Sequence, residues 1–169
     1  SYRMADFVFI TNADNMKSAR KLGIKNFSFM PHPINEEGTL TENDKDHLYK
    51  HMHQKYKTNF IIFHPSRQHW SMERDENWDK GNDIFLRGFA KYVHEVNNQA
   101  TVILVEWGSS VNETKKLIKD LLIEDRVIWV DPMPHLQMVR YIKGCDIVAD
   151  QFIIGSFGSI LPKAMALGK

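Results

Sequence analysis

Residues 146–169 read DIVADQFIIGSFGSILPKAMALGK, which predicts a strand, a glycine-containing turn and a helix in that order. The apolar run 147–149 is expected to form a buried strand that ends at the polar pair Asp150 and Gln151. The turn contains Gly155 and Gly158, and the helix is expected at 159–167. The first turn of a helix directs unpaired N–H groups and a positive dipole end outward. The stretch therefore predicts a binding site for a phosphate group, such as that of a nucleotide-type ligand.

The same alternation of strand and helix runs through the chain upstream. Apolar runs of strand length occur at 60–63, 101–105 and 127–130, and helical apolar spacing separates them at 83–96, 113–122 and 136–142. Strands that are apolar on both faces and alternate with helices are typical of a parallel sheet covered on both sides. The sequence therefore predicts an α/β fold with a doubly wound, Rossmann-like parallel sheet. A ligand is expected beyond the carboxyl ends of its strands.

The first third of the chain predicts a smaller unit and a linker. Residues 1–34 contain a strand, a helix and a strand, and two prolines then break regular structure. Residues 35–45 are polar and are expected to form the linker. A charged helix with an apolar stripe at Leu48, Met52 and Tyr56 opens the second domain, 46–169. Because a doubly wound domain normally adds a further strand and helix, this domain is expected to be incomplete at its C-terminus and the chain to be an excerpt.

Composition limits the partners and the compartment. The chain has 169 residues with a formal net charge of +1. Its overall charge is therefore too small to favour binding to nucleic acid. Cys145 is the single cysteine, which excludes an internal disulfide and favours a reducing compartment. No run approaches the roughly 20 apolar residues of a membrane span. We expect a cytoplasmic protein with no nucleic-acid partner and no transmembrane segment, and peripheral contact with a membrane stays open.

Two cationic side chains follow the strand expected at 60–63. Arg67 comes directly after it, and Lys80 precedes a helix, with Gly81 in the turn between. A guanidinium binds phosphate in a bidentate manner, and an ammonium acts as a point charge, so the pair could clamp a diphosphate. Spacing alone leaves open the alternative that both are solvated surface cations.

An ordered series of residues extends these signals over most of the chain. It consists of Ser66-Arg67, Lys80-Gly81, Phe89-Ala90, Val105-Glu106-Trp107-Gly108, Val127, Asp131-Pro132-Met133, Leu136, Tyr141, Cys145-Asp146, Gly158 and Ala164-Met165-Ala166-Leu167-Gly168-Lys169. The series resembles glycosyltransferase family 4, which contains retaining enzymes of the GT-B type with two Rossmann-like domains. The resemblance covers about residues 60–169. Residues 5–35 also resemble the closing strand, helix and strand of the acceptor-side domain.

The resemblance implies that the second domain binds a nucleotide diphosphate sugar as its substrate. By position, Arg67 and Lys80 would hold the donor diphosphate and stabilise the charge that leaves the sugar. The residues expected to contact the donor nucleoside or sugar are Trp107, Gly108, Met133, Asp150, Gln151, Gly155, Ser156, Phe157, Gly158 and Lys163. No catalytic residue is assigned, because the acceptor domain would supply those groups, and no metal or other cofactor is expected.

Two positions depart from the family pattern. The family usually carries Glu-x(7)-Glu across the last turn and helix, and this chain has Gly155 and Lys163 there. An ammonium only donates hydrogen bonds, so Lys163 cannot replace a carboxylate that accepts them from ribose hydroxyls. It could contact a phosphate or lie on the surface. Asp150 and Gln151 could take over the sugar-hydroxyl role, and a cap on the following turn is the alternative for Asp150.

Other side chains carry two interpretations each. His64 follows a strand at the expected cleft and could touch a ligand or be a half-buried, hydrogen-bonded histidine. Trp70 and Trp78 could stack on sugar faces or fasten their loop to the core. Cys145 is expected to be a small core residue. A metal site is not expected from the histidines of the charged helix, His47, His51 and His53, which lack a partner at ligand spacing.

The leading interpretation is a glycosyltransferase fragment. The full-length parent would transfer a hexose, with retention, to a hydroxyl of a glycan, lipid or small-molecule acceptor, and the fragment alone would be inactive. One alternative is a non-catalytic Rossmann-like binding module with a degenerate donor site. Another is a nucleotide-sugar epimerase of the GT-B type. An NAD-dependent oxidoreductase is excluded, because no G-x-G-x-x-G follows any strand.

Overall fold

The computed structural model describes residues 4–31, 42–70, 79–153 and 158–169. The chain divides into two compact units, Ser1–Asn35 and Glu36–Lys169. Most of the stretch expected to be a linker lies outside the described residues, and a helix has begun by Glu42.

The smaller unit contains the expected strand, helix and strand. Its elements are β1 (Val8–Ile10), α1 (Asn15–Lys21) and β2 (Phe27–Phe29), and the two strands pair in parallel with Phe9 opposite Ser28. The side chain of Asn12 accepts a hydrogen bond from the N–H of Asp14 at 3.0 Å and so shapes the turn before α1. The helix ends at Lys21, and Gly23 just after its C-cap has a φ of 71°, in the left-handed region.

The larger unit alternates helices and strands around a single parallel sheet. Its elements are α2 (Glu42–Tyr56), β3 (Phe60–His64), α3 (Asn82–Glu95), β4 (Ala100–Val105), α4 (Val111–Asp120), a 3₁₀ turn (Glu124–Arg126), β5 (Val127–Val130), α5 (His135–Gly144), β6 (Ile147–Val148) and α6 (Ile160–Ala166). The strand order in the sheet is β5-β4-β3-β6, and every pairing is parallel. The predicted doubly wound α/β fold is confirmed.

Two hydrophobic clusters cover the two faces of the sheet. All six residues of β4 are buried, and its side chains alternate between the clusters, as period-two geometry requires. Val102 and Leu104 pack with the cluster under α3 and α4, and Ile103 and Val105 pack with the cluster under α2, α5 and α6. Because β4 is buried on both faces, its sequence is a continuous apolar run.

The expectation of a buried strand at 147–149 is wrong for its first residue. Ile147 is 49% exposed and Val148 is half-buried. The physical reason is position, because β6 lies at the end of the strand order and pairs with β3 on one side only among the described residues. The apolar composition of this segment therefore predicted the strand correctly, but it did not predict how much of the strand is buried.

The apolar stripe predicted on α2 is confirmed. Met52 is buried and packs in the cluster that includes Ile142 of α5, while Tyr56 is half-buried beside it. A Cβ on Gly144 would lie 2.2 Å from the sulfur of Met52, so a larger residue there would force the Met52 side chain to move. Within the described parts of the chain, none of the helices is long and apolar enough to span a membrane.

Candidate functional site

Segments of three loops meet at the edge of the sheet where its parallel strands end. Residues 65–70 follow β3, residues 106–110 follow β4, and residues 149–153 follow β6, while residues 79–81 lead into α3. Because all the strands of this sheet run in the same direction, the loops that follow them lie at one edge. This is the edge at which ligands bind in open α/β sheets.

The loops after β3 and β4 are joined by backbone hydrogen bonds. The N–H of Gln68 donates to Trp107 O at 2.9 Å, and the N–H of Ser110 donates to Gln68 O at 2.9 Å. Gly108 lies between these bonds with a φ of 117°. A Cβ there would lie 2.3 Å from Gln68 O and 2.9 Å from the Cγ of Arg67. The glycine therefore permits the close approach that places Arg67 against the β4 loop.

Lys80 is held between the loops that follow β3 and β6. Its N–H donates to His69 O at 2.8 Å, and its carbonyl accepts from the N–H of Phe152 at 2.9 Å. Its Nζ donates to Oε1 of Gln151 at 2.6 Å. Gly81 next to it has a φ of 64°, and a Cβ there would lie 2.9 Å from the Cβ of Phe152. Both the backbone and the ammonium of Lys80 are thus fixed in place.

Arg67, Lys80 and Asp150 lie close enough for their charges to interact. The pKa of Lys80 is lowered, mainly because burial disfavours its charged form. The Asp150 carboxylate opposes this lowering, and the nearby Arg67 guanidinium adds to it. The two cations that the sequence indicated for one ligand group therefore converge at the same edge of the sheet. Trp107, Gly108 and Gln151 lie there with them.

Asp150 is engaged within the protein through its carboxylate. The hydroxyl of Ser66 lies 2.6 Å from Asp150 O and 3.0 Å from Oδ1, and can donate to either. The N–H of Gly158 donates to Oδ2 at 3.0 Å. This geometry is the cap on the following turn that the sequence left as an alternative, and it also occupies the Gly158 N–H expected to face a ligand. A role for Asp150 toward sugar hydroxyls stays a prediction.

The remaining candidate residues fall in three places. Met133 is half-buried after β5 and lines a groove of about 430 Å³ with Glu106, Trp129 and Tyr141. Lys163 is half-buried on α6. Gly155, Ser156 and Phe157, and with them most of the glycine turn, lie outside the described residues.

A buried polar network supports the loop that carries Arg67. His64 is fully buried, and its Nδ1 donates to Ala149 O at 2.9 Å while its Nε2 accepts from the amide of Asn82 at 3.0 Å. The other side of the Asn82 amide accepts from the N–H of His69 at 3.0 Å. Burial lowers the pKa of His64 to about 4, so this histidine is neutral near pH 7. His64 therefore acts as a hydrogen-bonded core residue, and the alternative that it touches a ligand is not supported.

Gln68 is a second supporting residue that the sequence did not reveal. It is fully buried, and its amide donates to Ser66 O at 3.2 Å.

Trp70 donates from its indole to Oγ1 of Thr114 at 2.8 Å and packs against the cluster under α4. Of the two interpretations of Trp70, attachment of the loop to the core is the one observed. Trp78 lies outside the described residues.

Cys145 and the histidines of α2 were the other side chains singled out from the sequence. Cys145 is fully buried, as expected of a core residue. His53 is half-buried, with Nδ1 3.0 Å from Thr58 O and Nε2 3.1 Å from the Asp146 carboxylate. Among the described residues, no group of three or more His, Cys, Asp or Glu side chains is arranged to hold a metal ion.

The fold is similar to those of solved glycosyltransferases. HepE from Anabaena, solved in complex with UDP and glucose, matches with a TM-score of 0.73 and 21% identity over 99% of this chain and 44% of HepE. Sucrose-phosphate synthase from Thermosynechococcus elongatus matches with a TM-score of 0.71 and 18% identity over 99% of this chain and 40% of its own. The C-terminal domain of a group 1 glycosyl transferase, LpcC, from Francisella tularensis matches with a TM-score of 0.56 and 14% identity, covering 79% of this chain and 66% of that domain.

These similarities define the class of fold. The chain has the α/β fold of the GT-B glycosyltransferases and spans less than half of the length of HepE and of the synthase. No protein-family model matches the chain, and no curated protein matches it. At these identities the likeness establishes the fold, and the activity must be argued from the site.

Proposed function

We propose that this chain is the donor-binding part of a GT-B glycosyltransferase and that it binds a nucleotide diphosphate sugar at the carboxyl edge of its sheet. The observation that carries the proposal is the convergence of Arg67 and Lys80 beside the turn at Gly108. Two cations held close together repel each other; Asp150 already favours the charge of Lys80, and an anion that contacts both cations would favour both charged forms further. A diphosphate has the charge and the oxygen atoms to contact both.

The other loops at this edge suit the rest of such a donor. The groove beside Met133 would take the nucleoside, with Trp107 and Gly108 at its border. Gln151 and Lys163 would contact the sugar or a phosphate. A fold similar to that of HepE, which was solved with UDP and glucose, makes UDP the first nucleotide to test.

The whole protein would transfer a hexose to a hydroxyl of a glycan, lipid or small-molecule acceptor, with retention of configuration. Its role would then be in the synthesis of a polysaccharide or glycoconjugate, in the cytoplasm or at a membrane surface. Because Arg67 and Lys80 would neutralise the diphosphate, donor binding would need no metal ion. The chain by itself would bind donor and transfer nothing.

Calorimetric titration with UDP, GDP and ADP, in the presence of EDTA, tests the binding claim. We expect saturable binding of at least one nucleotide, and a loss of about tenfold or more in affinity for Arg67→Ala, because hydrogen bonds to charged groups contribute about 1.5–3 kcal/mol. Arg87→Ala is the matched control, since Arg87 is exposed on α3. Equal affinities for the two variants would show that Arg67 does not hold the diphosphate.

A non-catalytic binding module is the second candidate function. It is favoured by Lys163, which stands where family 4 usually carries a glutamate, and by the engagement of Asp150 with Gly158. The two candidates differ in the activity of the full-length parent. Hexose transfer from a bound donor would reject the binding module, and nucleotide binding without hydrolysis or transfer, for every sugar donor tried, would support it.

A further inference from the structure

A groove of about 510 Å³ lies between α2 and α5 and borders the groove beside Met133, with which it shares Gln137 and Tyr141. It is lined by Leu48, His51, Met52, Lys55, Tyr56, Pro134, Leu136, Gln137, Arg140 and Tyr141. None of these ten residues is acidic, and two carry permanent positive charge. A concave surface with this one-sided charge attracts anions.

The cations lie beside hydroxyl donors. The Nζ of Lys55 is 4.9 Å from the centre of the Tyr56 ring. The hydroxyls of Tyr56 and Tyr141 are 3.4 Å apart, so one of them can donate to the other and still leave a proton for a ligand. Burial raises the pKa of Tyr141 to about 12, so its hydroxyl keeps its proton near neutral pH. Lys55 and the tyrosine pair therefore supply hydrogen-bond donors near the groove, and Arg140 is a further donor in its lining.

The same groove exposes apolar surface. Leu136 is 59% exposed at the start of α5, and Leu48 of α2 is half-buried beside Gly144 at the end of α5. An exposed leucine within a concave surface favours binding of an apolar group, because burying apolar surface is favourable by about 25 cal/mol for each Å². The groove thus combines an apolar wall with cationic donors, which is the combination that an amphiphilic anion requires.

We propose that the groove between α2 and α5 binds a small organic phosphate with an apolar substituent. Lys55 and Arg140 would hold the phosphate, and Leu48 and Leu136 would contact the apolar part. Phosphate is preferred to carboxylate because its higher charge matches two cations. Lys55 and Arg140 line this groove and not the groove beside Met133, although the two grooves share Gln137 and Tyr141.

The proposal is tested on the 169-residue chain with hexyl phosphate as the probe, by calorimetry and by amide chemical shifts in ¹⁵N spectra. We expect saturable binding, with shifts at α2 and α5, and affinities about five- to tenfold lower for Lys55→Gln and for Arg140→Gln. Lys116→Gln and Arg87→Gln are the matched controls, because both residues are exposed on other helices. Hexanol and inorganic phosphate should each bind more weakly than hexyl phosphate.

Several outcomes would overturn this site. Non-saturable binding, or affinities that the Lys55 and Arg140 variants leave unchanged, would reject it. Binding to phosphatidylcholine vesicles that contain phosphatidic acid, without binding of hexyl phosphate, would reject the small-molecule ligand in favour of a membrane surface. UDP titration of the same variants separates this proposal from the donor site, since we expect both to bind UDP as the unchanged chain does.

Discussion

Replacement of Gly108 by alanine is the sharpest test of how the donor edge is built. The residue has a φ of 117°, and an added Cβ would lie 2.3 Å from Gln68 O and 2.7 Å from Gln68 N. Backbone strain of this kind costs about 1–3 kcal/mol. If the loops separate, the two hydrogen bonds between Gln68 and the β4 loop are lost, at about 0.5–1.5 kcal/mol each. The free energy of unfolding should therefore fall by about 2–6 kcal/mol.

The loss of stability should be accompanied by a loss of nucleotide binding, because the same Cβ would lie 2.9 Å from the Cγ of Arg67. Urea unfolding followed by tryptophan fluorescence measures the first effect, and calorimetry measures the second. The control is Gly88→Ala, where a Cβ meets no atom within 4 Å and the site is exposed on α3. Alanine there should stabilise the protein by about 0.5–1 kcal/mol. If Gly108→Ala unfolds like the unchanged protein, the close packing of these loops is wrong.

Two further predictions concern buried titratable groups. Burial lowers the pKa of His64 from 6.5 to about 4, so as the pH falls the unfolded chain binds a proton at this histidine before the folded chain does. The contribution of neutral His64 to the free energy of unfolding is therefore fully present above about pH 6.5. It decreases by about 3 kcal/mol toward pH 4. Urea unfolding at several pH values should show a weaker pH dependence for His64→Gln, and equal slopes would contradict a neutral His64. Burial also raises the pKa of the Cys145 thiol to about 12, so Ellman's reagent at about pH 8 should react slowly with the folded protein and rapidly in urea. Rapid reaction of the folded chain would place Cys145 at the surface.

The sequence predicts the alternation of this fold well, because the signal is periodic and local. The strand expected at 127–130 is β5 as observed, and the helices expected at 83–96 and 136–142 correspond to α3 and α5. Burial of the strand at 147–149 could not be predicted in the same way. How much of a strand is covered depends on its neighbours in the sheet, and the order β5-β4-β3-β6 is set by packing between distant segments.

For the candidate site, too, local or topological signals could be predicted from the sequence, and packing between distant segments could not. Arg67 and Lys80 could be placed at one edge because parallel strands end on the same side, and topology alone supplies that information. Gln68 and Asn82 could not be found, because a buried polar residue in a loop or at a helix start has no periodic pattern. Both are fully buried and hydrogen bonded to backbone, and their role is visible only once the loops are assembled. Likewise, both interpretations of Asp150 were chemically sound; the hydrogen bond from Gly158 shows the cap, and a role toward sugar hydroxyls stays a prediction.

Several polar groups at this edge are already hydrogen bonded within the protein, and these bonds determine how its charges are arranged. Asp150 is the anion that acts on Lys80, yet its carboxylate also accepts hydrogen bonds from Gly158 and can accept one from Ser66. These hydrogen bonds orient the carboxylate, which favours the charged form of Lys80 more than Arg67 disfavours it. Lys80 is held by Gln151, a neutral acceptor, which orients the ammonium without cancelling its charge. Arg67 still disfavours the charge of Lys80, and an added dianion such as a diphosphate would favour the charged forms of both side chains. If so, UDP should protect the chain against unfolding more strongly at low salt than at high salt, because salt screens partly exposed charges.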